Sequence, residues 1–420
     1  MPSFGKRITR IRHETGPERA IALLGARKSG TLRTMDNELL TRAVQDVVPR
    51  KVAEDKFKTG KPMRMYWGID PTGTKIHLGH SVPLRKMRAF QDAGHHVILL
   101  IGSFTAMIGD PSGRDEMRQE LTAADVKKNF ETYIDQAKKI LDMKKLEVRY
   151  NHEWLEKLSF KDILALTSHF TVQQMLHRDM FAKRMKDDAP ISVTEFMYPL
   201  MVGYDSVMLD VDVELGGNDQ LFNMLAGRTL QTAFKKRDKF VLTTKLIEGT
   251  DGRKMSKSYN NCVYLTDEPN EMYGRLLSMP DSLIPVYMEC CTGLPMAEVK
   301  AAEKALKDGT ENPKKLKMRL AREIVTMYHS AEAAAAAEAA FENVFKDKGV
   351  PDDVPEYTAK KGESLIDALA ASGTCASKSE ARRLLTQGGV KHDDKPVTSV
   401  DAKAEKGIWK VGKRKFLKIQ

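Results

Sequence analysis

Hydrophobic and polar positions in residues 64–101 follow first the pattern of a strand, then that of a helix, and then that of a second strand. Residues 64–69 and 96–101 are short apolar runs, and the second is rich in Val, Ile and Leu, as buried strands are. Between them, residues 70–79 are rich in turn formers, and residues 80–93 have helical periodicity that Gly94 closes. The pattern predicts a strand, a helix and a second strand. Such units build parallel sheets.

Further along the chain the pattern becomes mostly helical. Between about 115 and 195 it is helical and charged, and only residues 146–150 have the pattern of a strand. Another strand is predicted at 239–242, before a polar loop at 248–261, and helical patterns then continue to about 346. The alanine-rich stretch 331–340 is a strong helix former, which we interpret as a surface helix of a bundle.

These elements predict an α/β protein of several domains, as expected for 420 residues. A Rossmann-like parallel sheet domain is followed by an α-helical domain and a small α+β domain. The predicted order is an N-terminal extension at 1–34, the sheet domain at 35–247 with a helical insertion at about 115–195, the helical domain at 248–346, a polar linker at 347–362, and the small domain at 363–420.

Composition narrows the class of protein. Charged residues make up 30% of the chain and hydrophobic residues 41%. Since no run approaches the roughly 18 apolar residues of a membrane span, we do not expect a membrane protein. The formal net charge is +11. Residues 361–420 hold thirteen Lys or Arg and seven Asp or Glu, a difference of +6, so this basic end is a candidate RNA-binding module.

The four cysteines, Cys262, Cys290, Cys291 and Cys375, form no CxxC pair, which predicts neither a zinc site nor a disulfide framework. We therefore expect a cytoplasmic protein. Residues 1–33 are basic, which leaves a transit peptide open as an alternative. Against it, Glu14 and Glu18 interrupt the basic run.

A first candidate site lies in the loop between the predicted strand and helix. His77-Leu-Gly-His80 places two imidazoles, which can donate hydrogen bonds to phosphate, at the positive end of a helix. Gly79 between them allows a nucleotide to approach the backbone closely. Alone, the motif is also compatible with two capping or core histidines.

A second motif, Lys254-Met-Ser-Lys-Ser258, lies in a loop far downstream, where two lysines could close over a triphosphate. Alone it could equally be a solvated charge run. The two motifs in this order, however, are the signature of class I aminoacyl-tRNA synthetases.

The wider resemblance, over almost all of residues 35–420, is to bacterial-type tyrosyl-tRNA synthetases. It is carried by blocks at 66–72, 108–113, 198–200, 203–205 and 215–220, which read YWGIDPT, IGDPSG, YPL, GYD and LGGNDQ. The resemblance implies a two-step reaction in which tyrosine is activated with ATP and then transferred to tRNA(Tyr). It also implies Mg²⁺ carried with ATP rather than a protein metal site, and a homodimer paired through the helical insertion.

The resemblance also implies roles for individual residues. Tyr66 and Asp205 match the pair that reads the tyrosyl phenol, and their chemistry agrees, since a carboxylate accepts a hydrogen bond and a hydroxyl can donate one. The positions implied to hold the substrate ammonium are Asp110, Tyr198 and Gln220. The nucleotide positions are Gly68, Asp70, Thr72, Gly217 and Asp219, together with Gly79 and the motif residues Lys254, Met255, Ser256, Lys257 and Ser258. His77 and His80 would contact the transferring phosphate. Lys254, Lys257, Arg114 and Arg118 would contact pyrophosphate.

Two positions depart from the family pattern. Val202 stands where the family has a glutamine that holds the amino end of the substrate, so fewer polar contacts are expected there. Trp67 replaces a smaller residue beside the nucleotide site, where its bulk either presses on the ribose or fills the second face of the strand.

The last segment resembles a small RNA-binding fold, the αL fold, of bacterial tyrosyl enzymes, a ribosomal small-subunit protein and pseudouridine synthases. Lys378, Arg382 and Arg383 lie within about one and a half helical turns and predict a basic face toward phosphates. Lys413 and Arg414 are the further RNA-binding candidates. A merely solvated helix face is the alternative.

Two other functions remain open from the sequence. One is a non-catalytic RNA-binding protein built on a decayed synthetase, although the intact HLGH and KMSKS motifs argue against it. The other, which Val202 keeps open, is a synthetase for a tyrosine analogue or another aromatic amino acid.

Overall fold

The structure is a computed structural model that describes residues 38–71, 73–112, 122–256, 259–346, 354–393, 395–412 and 415–420. The chain divides into two compact units. The first comprises Met1–Ile247 with Glu289–Cys291, and the second comprises Glu248–Met288 with Thr292–Gln420. The division falls after Ile247, where the sequence places the end of the sheet domain.

The first unit is built on a six-stranded sheet. Its strands are β1 Val44–Val48, β2 Arg64–Ile69, β3 His96–Ile101, β4 Leu146–Tyr150, β5 Val213–Gly217 and β6 Phe240–Thr244. Their spatial order is β1-β6-β5-β2-β3-β4, and every neighbouring pair is parallel except β1 with β6. The predicted Rossmann-like parallel sheet is confirmed. Strands β5, β2 and β3 lie at its centre, so their carboxyl ends meet at one edge.

The helices of the first unit connect these strands. They are α1 Arg50–Lys58, α2 Leu78–Asp92, α3 Thr105–Ile108, α4 Ala123–Ala137, α5 His152–Leu155, α6 Phe160–Thr167, α7 Val172–Leu176, α8 Asp179–Lys186, α9 Val193–Leu209 and α10 Leu221–Lys235. Several begin with a capping box, in which a Ser or Thr side chain and an acidic or amide side chain three residues on satisfy backbone N–H groups.

Four of the six strands were predicted from the sequence, whereas β1 and β5 were not. β2, β3 and β4 have the predicted bounds, whereas β6 begins one residue later and extends to Thr244. Helix α2 begins at Leu78 rather than at residue 80, because His77 has extended backbone geometry and is its N-cap. Gly94 follows the helix with φ +84°, a conformation in which glycine is unstrained. The described part of the predicted insertion is helical, apart from β4, which forms an edge of the sheet.

The second unit contains a helical segment and a small sheet. The helices are α11 Pro269–Leu277, α12 Ile284–Cys291, α13 Met296–Lys307, α14 Pro313–Tyr328 and α15 Ala331–Lys346. The end of α12, Glu289–Cys291, belongs to the first unit. Helix α15 contains the alanine-rich stretch 331–340, which the sequence predicts to be helical.

The C-terminal segment is an α+β arrangement. Its elements are β7 Glu356–Tyr357, α16 Leu365–Ala371, α17 Lys378–Thr386, β8 Val390–His392, β9 Lys395–Val397, β10 Gly407–Val411 and β11 Lys415–Ile419. The strand order is β7-β11-β10-β8-β9. Helices α16 and α17 supply Leu369 and Leu385 to a core that contains Trp409 and Leu417 from the sheet. β7 lies within residues 347–362, where the sequence predicts a linker.

Among the helices of the described ranges, there is no apolar stretch of the length that a membrane span requires.

Candidate active site

A cavity opens at the carboxyl ends of the central strands of the first unit, where parallel sheets bind their ligands. Its empty volume is about 470 Å³, open mouth included. It brings together several of the side chains and backbone positions predicted from the sequence, namely Tyr66, Gly68, Asp70, Tyr198, Asp205 and Gln220. Trp67 and Val202, the two departures from the family pattern, also line it.

Asp205 is a buried carboxylate on α9, only 2% exposed. Its Oδ1 accepts a hydrogen bond of 2.7 Å from the Trp154 indole N–H, and its Oδ2 accepts one of 3.3 Å from the Asn151 amide. Burial raises the pKa of Asp205 well above its usual range, while the two donors oppose this shift. Asn151 and Trp154 were not identified from the sequence. Their signal is position, since Asn151 directly follows β4 and Trp154 lies three residues further on, at the carboxyl end of a parallel strand.

Tyr66, on β2, is fully buried, and its hydroxyl lies 3.0 Å from Ser206 Oγ. Ser206 Oγ in turn donates to Glu214 at 3.0 Å, and Lys239 is ion-paired with Glu214. Burial raises the pKa of the Tyr66 phenol well above its usual range. The hydroxyl of Tyr66 therefore has a fixed polar partner on the sheet side of the cavity, which the sequence did not reveal.

Asp70 follows β2 directly and is held by two hydroxyl groups. Thr105 donates to Oδ1 at 2.8 Å, and Tyr198 donates to Oδ2 at 2.9 Å. Asn151 donates to the same Thr105 hydroxyl at 3.0 Å, so one network joins Asp70 to the surroundings of Asp205. Gly102 leaves room for it, because a Cβ there would lie 1.8 Å from Asp70 Oδ1.

Asp110 and Gln220 form a second polar group of the site. Gln220 Nε2 donates to Asp110 Oδ2 at 2.6 Å, and the backbone N–H of Ser112 donates to Oδ1 at 2.9 Å. Asn223 donates to Gln220 Oε1 at 2.9 Å, which fixes the amide with its nitrogen toward Asp110. Arg178, whose guanidinium is buried over Phe222, donates to Ser112 Oγ at 2.8 Å. Asn223 and Arg178 were not identified from the sequence.

The two histidines of the first motif stack on each other at the start of α2. Their ring centroids lie 3.8 Å apart, with 20° between the ring planes. His77 is the N-cap, and its carbonyl accepts from the backbone N–H of His80 at 2.9 Å. The structure thus places both imidazoles at the positive end of a 15-residue helix, where backbone N–H groups favour an anion.

Gly217 ends β5, and Asp219 follows it as an exposed carboxylate. A Cβ on Gly217 would lie 2.5 Å from Asp219 Oδ1, so glycine permits this approach. Both residues belong to the sheet edge that carries the cavity.

The second motif lies in the second unit, and an asparagine organises its first part. Asn261 donates to the Lys254 carbonyl at 3.0 Å and to Asp251 Oδ1 at 2.7 Å, and its Oδ1 accepts from the Ser256 N–H at 2.8 Å. The bond from Asn261 is the largest cause that lowers the pKa of Asp251 to about 2. Lys254 itself is exposed, and Met255 is partly buried.

The C-terminal basic residues lie on one face of α17. Lys378, Arg382 and Arg383 are exposed, whereas Ala381 and Leu385 point into the core. Lys378 also forms a 2.7 Å ion pair with Asp367. Some predicted residues lie outside the described ranges, and these are Thr72, Arg114, Arg118, Lys257, Ser258, Lys413 and Arg414.

Comparison with known proteins gives consistent results. Residues 58–346 match a family described as tRNA synthetases class I (W and Y). The chain is 46% identical over 386 residues to the tyrosine–tRNA ligase of Thermotoga maritima, which covers 91% of this chain and 96% of that protein. It is 45% identical over 399 residues to the tyrosine–tRNA ligase of Carboxydothermus hydrogenoformans, covering 91% and 97%.

Solved structures extend this likeness to the fold. A C-terminally truncated mitochondrial tyrosyl-tRNA synthetase of Aspergillus nidulans superposes with a TM-score of 0.61 at 24% identity, over 76% of this chain and 100% of that chain. A tyrosyl-tRNA synthetase of Archaeoglobus fulgidus in complex with L-tyrosine gives 0.58 at 21% identity, over 73% and 99%.

Proposed function

The chain belongs to the tyrosine–tRNA ligases within the class I tRNA synthetases, and we propose that the cavity of its first unit is where tyrosine meets ATP. The reaction has two steps. A carboxylate oxygen of tyrosine attacks the α-phosphorus of ATP, and pyrophosphate leaves. A terminal ribose hydroxyl of tRNA(Tyr) then attacks the carbonyl carbon of the tyrosyl-adenylate, and AMP leaves.

The observation that carries the proposal is the set of polar groups in and beside one otherwise largely apolar cavity. Asp205 and Tyr66 offer hydrogen-bonding groups to a phenol, and Asp110, Tyr198 and Gln220 offer them to an ammonium group. Few other amino acids carry a polar group at both ends of a flat apolar ring. A pocket of this kind fits tyrosine better than an aliphatic or charged amino acid.

Recognition of the phenol rests on Asp205. Its carboxylate accepts hydrogen bonds and donates none when ionised, so it accepts the hydrogen bond of the phenolic O–H, and Tyr66 donates to the phenolic oxygen. The Trp154 and Asn151 donors favour the charged form of Asp205 against the effect of burial. Phenylalanine would leave these buried groups without a partner, which disfavours its binding.

Recognition of the amino end rests on Asp110. Its charge complements the ammonium group, Gln220 and Tyr198 add further contacts, and the Asn223 and Ser112 bonds hold Gln220 and Asp110 in position. Val202 contributes no polar contact there. We therefore propose that Asp110 carries a larger share of amino-group binding in this chain than it would beside a glutamine.

The first chemical step needs no general base, because the carboxylate of tyrosine is already a nucleophile. Catalysis then consists of positioning and of stabilising charge on the phosphates. We assign the transferring phosphate to His77 and His80. Ribose and adenine are assigned to Gly68, Asp70, Thr72, Gly217 and Asp219. Pyrophosphate is assigned to Lys254, Lys257, Arg114 and Arg118. Mg²⁺ is proposed to enter bound to ATP.

Two further features concern larger partners. The exposed basic face of α17 is proposed to bind phosphates of tRNA(Tyr). The helical insertion is proposed to pair two copies of the chain, and large exposed apolar side chains there support this, including Phe160 at 75%, Leu164 at 55% and Val193 at 76% exposure. A cytoplasmic location is proposed from the four cysteines, which are buried thiols.

The experiment that tests the proposal is ATP–pyrophosphate exchange with each of the twenty amino acids and a few tyrosine analogues, followed by charging of tRNA(Tyr). We expect exchange with tyrosine above all others, and charging of the tRNA. Preferred exchange with an analogue would identify a different substrate. No exchange with any amino acid, together with tRNA binding, would identify a non-catalytic RNA-binding protein.

A further inference from the structure

A charged cluster lies buried behind Tyr66. Lys239 is 0% exposed, forms an ion pair with Glu214, and donates to Ser206 Oγ at 2.6 Å. Ser206 Oγ donates to Glu214 at 3.0 Å and lies 3.0 Å from the Tyr66 hydroxyl. The Lys239 ammonium also lies 5.7 Å from the centre of the Tyr66 ring. Tyr66, Ser206 and Glu214 come from β2, α9 and β5, and Lys239 directly precedes β6, so the fold itself assembles the cluster.

Such a pair is not needed to stabilise a core. Removing a lysine and a glutamate from water is costly, and replacing a buried pair by apolar side chains is often neutral or stabilising. Burial accordingly raises the pKa of Glu214 and lowers the pKa of Lys239, and each charge offsets part of the effect on the other. A buried pair in contact with a residue of the substrate cavity therefore calls for another explanation.

Gly227 keeps space for this cluster. It lies inside helix α10, where glycine is the least favourable residue after proline. A Cβ at Gly227 would lie 2.5 Å from Ser206 Oγ, 2.7 Å from Lys239 Nζ and 2.9 Å from Glu214 Oε2. The helix thus accommodates all three polar groups at the position of one missing methyl group.

The direction of the hydrogen bonds follows from the chemistry of the groups. The Lys239 ammonium only donates, and an ionised Glu214 only accepts. Ser206 has one proton, which it can donate to Glu214 or to the Tyr66 oxygen, while its own oxygen accepts from Lys239. When Ser206 donates to Tyr66, the Tyr66 proton is left for the phenolic oxygen of the substrate. The Tyr66 hydroxyl is thereby held at one position.

We propose that Ser206, Glu214 and Lys239 are positioning residues that fix the Tyr66 hydroxyl and so determine the preference for tyrosine over phenylalanine. Neither Ser206 nor Lys239 lines the cavity, so both act through Tyr66, whereas Glu214 also lines the cavity beside Tyr66. The inference rests on the proposed function, in which Tyr66 contacts the tyrosyl phenol. Because the cluster lies on the phenol side, it affects tyrosine binding and not ATP binding.

The test compares kcat/KM for tyrosine and for phenylalanine in ATP–pyrophosphate exchange. Ser206→Ala removes the bond to Tyr66 but leaves the ion pair, and the double variant Lys239→Met/Glu214→Met removes both charges together. We expect each to lower the tyrosine-to-phenylalanine ratio roughly tenfold, the value of one buried hydrogen bond. The KM for tyrosine should rise, while the KM for ATP stays unchanged.

A matched control is the buried ion pair of Arg184 and Glu195, 2.8 Å apart, which does not line the cavity. Arg184→Met/Glu195→Met should leave the ratio unchanged. Gly227→Ala displaces the cluster while keeping its charges and should change the ratio in the same direction as Ser206→Ala. If the double variant does not fold, the tyrosine-to-phenylalanine ratio of Ser206→Ala alone tests the proposal.

Tyr66→Phe separates this inference from the proposed function. If Tyr66→Phe lowers the ratio but Ser206→Ala and the double variant do not, the cluster has no positioning role and the inference is overturned. If Tyr66→Phe leaves the ratio unchanged, Tyr66 does not read the phenol, and that part of the proposed function and the inference both fail.

Discussion

The hydroxyl of Tyr198 donates a 2.9 Å hydrogen bond to Asp70. Tyr198 is assigned to the amino group of tyrosine and Asp70 to the ribose of ATP, so this bond connects the two substrate positions. Thr105 holds the other oxygen of the same carboxylate at 2.8 Å. The amino-acid and nucleotide sides of the cavity therefore share one polar network.

Tyr198→Phe should impair the binding of both substrates. It removes a contact to the ammonium group and leaves Asp70 with one hydroxyl donor fewer, so we expect the KM for tyrosine and the KM for ATP each to rise up to about tenfold. Steady-state ATP–pyrophosphate exchange measures both. Tyr357→Phe, which removes a 2.9 Å tyrosine–glutamate bond to Glu363 in the second unit, is the matched control and should change neither. A rise in only one KM would show that the Asp70 bond does not couple the two positions.

Asn261→Ala should slow activation without weakening tyrosine binding. Asn261 ties Lys254, Ser256 and Asp251 together, and a lysine that stabilises developing charge acts on the rate rather than on ground-state affinity. Stopped-flow measurement of adenylate formation should show a lower maximum rate and an unchanged Kd for tyrosine. Lys254→Ala should do the same.

Asn312→Ala is the control for Asn261→Ala, because Asn312 caps helix α14 in the same unit through a 2.8 Å bond to the Lys314 N–H. Loss of this cap should cost about 1 kcal/mol of stability and leave the rate of activation unchanged. Equal losses of rate and tyrosine affinity in Asn261→Ala would contradict the assignment of the loop.

The proposed homodimer can be tested through the exposed apolar face of α6. Phe160→Asp/Leu164→Asp places charges where the proposed contact buries apolar side chains, and should convert a dimer into the 47.2 kDa monomer. Light scattering at micromolar concentration measures the mass. Val400→Asp, at an exposed valine of the C-terminal segment, should leave the dimer intact. A monomeric wild type would contradict the proposal.

The stability of the fold should depend on pH through Lys86. Burial lowers the pKa of Lys86 to about 7, and its ammonium donates to the carbonyls of Glu38 and Leu39. The ordinary lysine pKa in the unfolded chain is higher, at about 10.4, so between these values the unfolded chain holds the extra proton. Stability should therefore rise with pH across this window, by at most about 1.4 kcal/mol per pH unit.

The measurement for Lys86 is urea unfolding of wild type and Lys86→Met at pH 7 and pH 9.5. The free energy of unfolding of wild type should increase with pH relative to that of Lys86→Met. Methionine is the comparison because it has a similar volume and no charge. A difference that is the same at both pH values would show that the pKa of Lys86 is not lowered.

Local patterns in the sequence were sufficient to predict the motif loops and four of the six strands of the first unit's sheet, but not β1 or β5. The strands β2, β3 and β4 are short runs whose residue types are typical of strands, and HLGH follows β2, where a parallel sheet places ligands. β7 was not predicted, because a strand of two residues has no detectable period. Its partner β11 lies some sixty residues further along the chain, where Glu356 pairs with Lys418.

The hydrogen-bonded surroundings of the site could not be predicted in the same way. Asn151 and Trp154 reach Asp205 across more than fifty positions of sequence, and Lys239 finds Glu214 only because β5 and β6 are neighbours in the sheet. A lysine just before a strand ordinarily indicates a solvent-exposed end. Its burial follows from tertiary packing, which the sequence pattern does not contain.

The central claim is that Asp205 reads the phenol of tyrosine, and the most direct test is the ratio of kcat/KM for tyrosine to that for phenylalanine in wild type and Asp205→Ala. The loss of the carboxylate should damage tyrosine activation more than phenylalanine activation and so lower the ratio. Val202→Gln, at the amino end, should change both values by a similar factor and keep the ratio. An unchanged ratio in Asp205→Ala would contradict the account of the pocket.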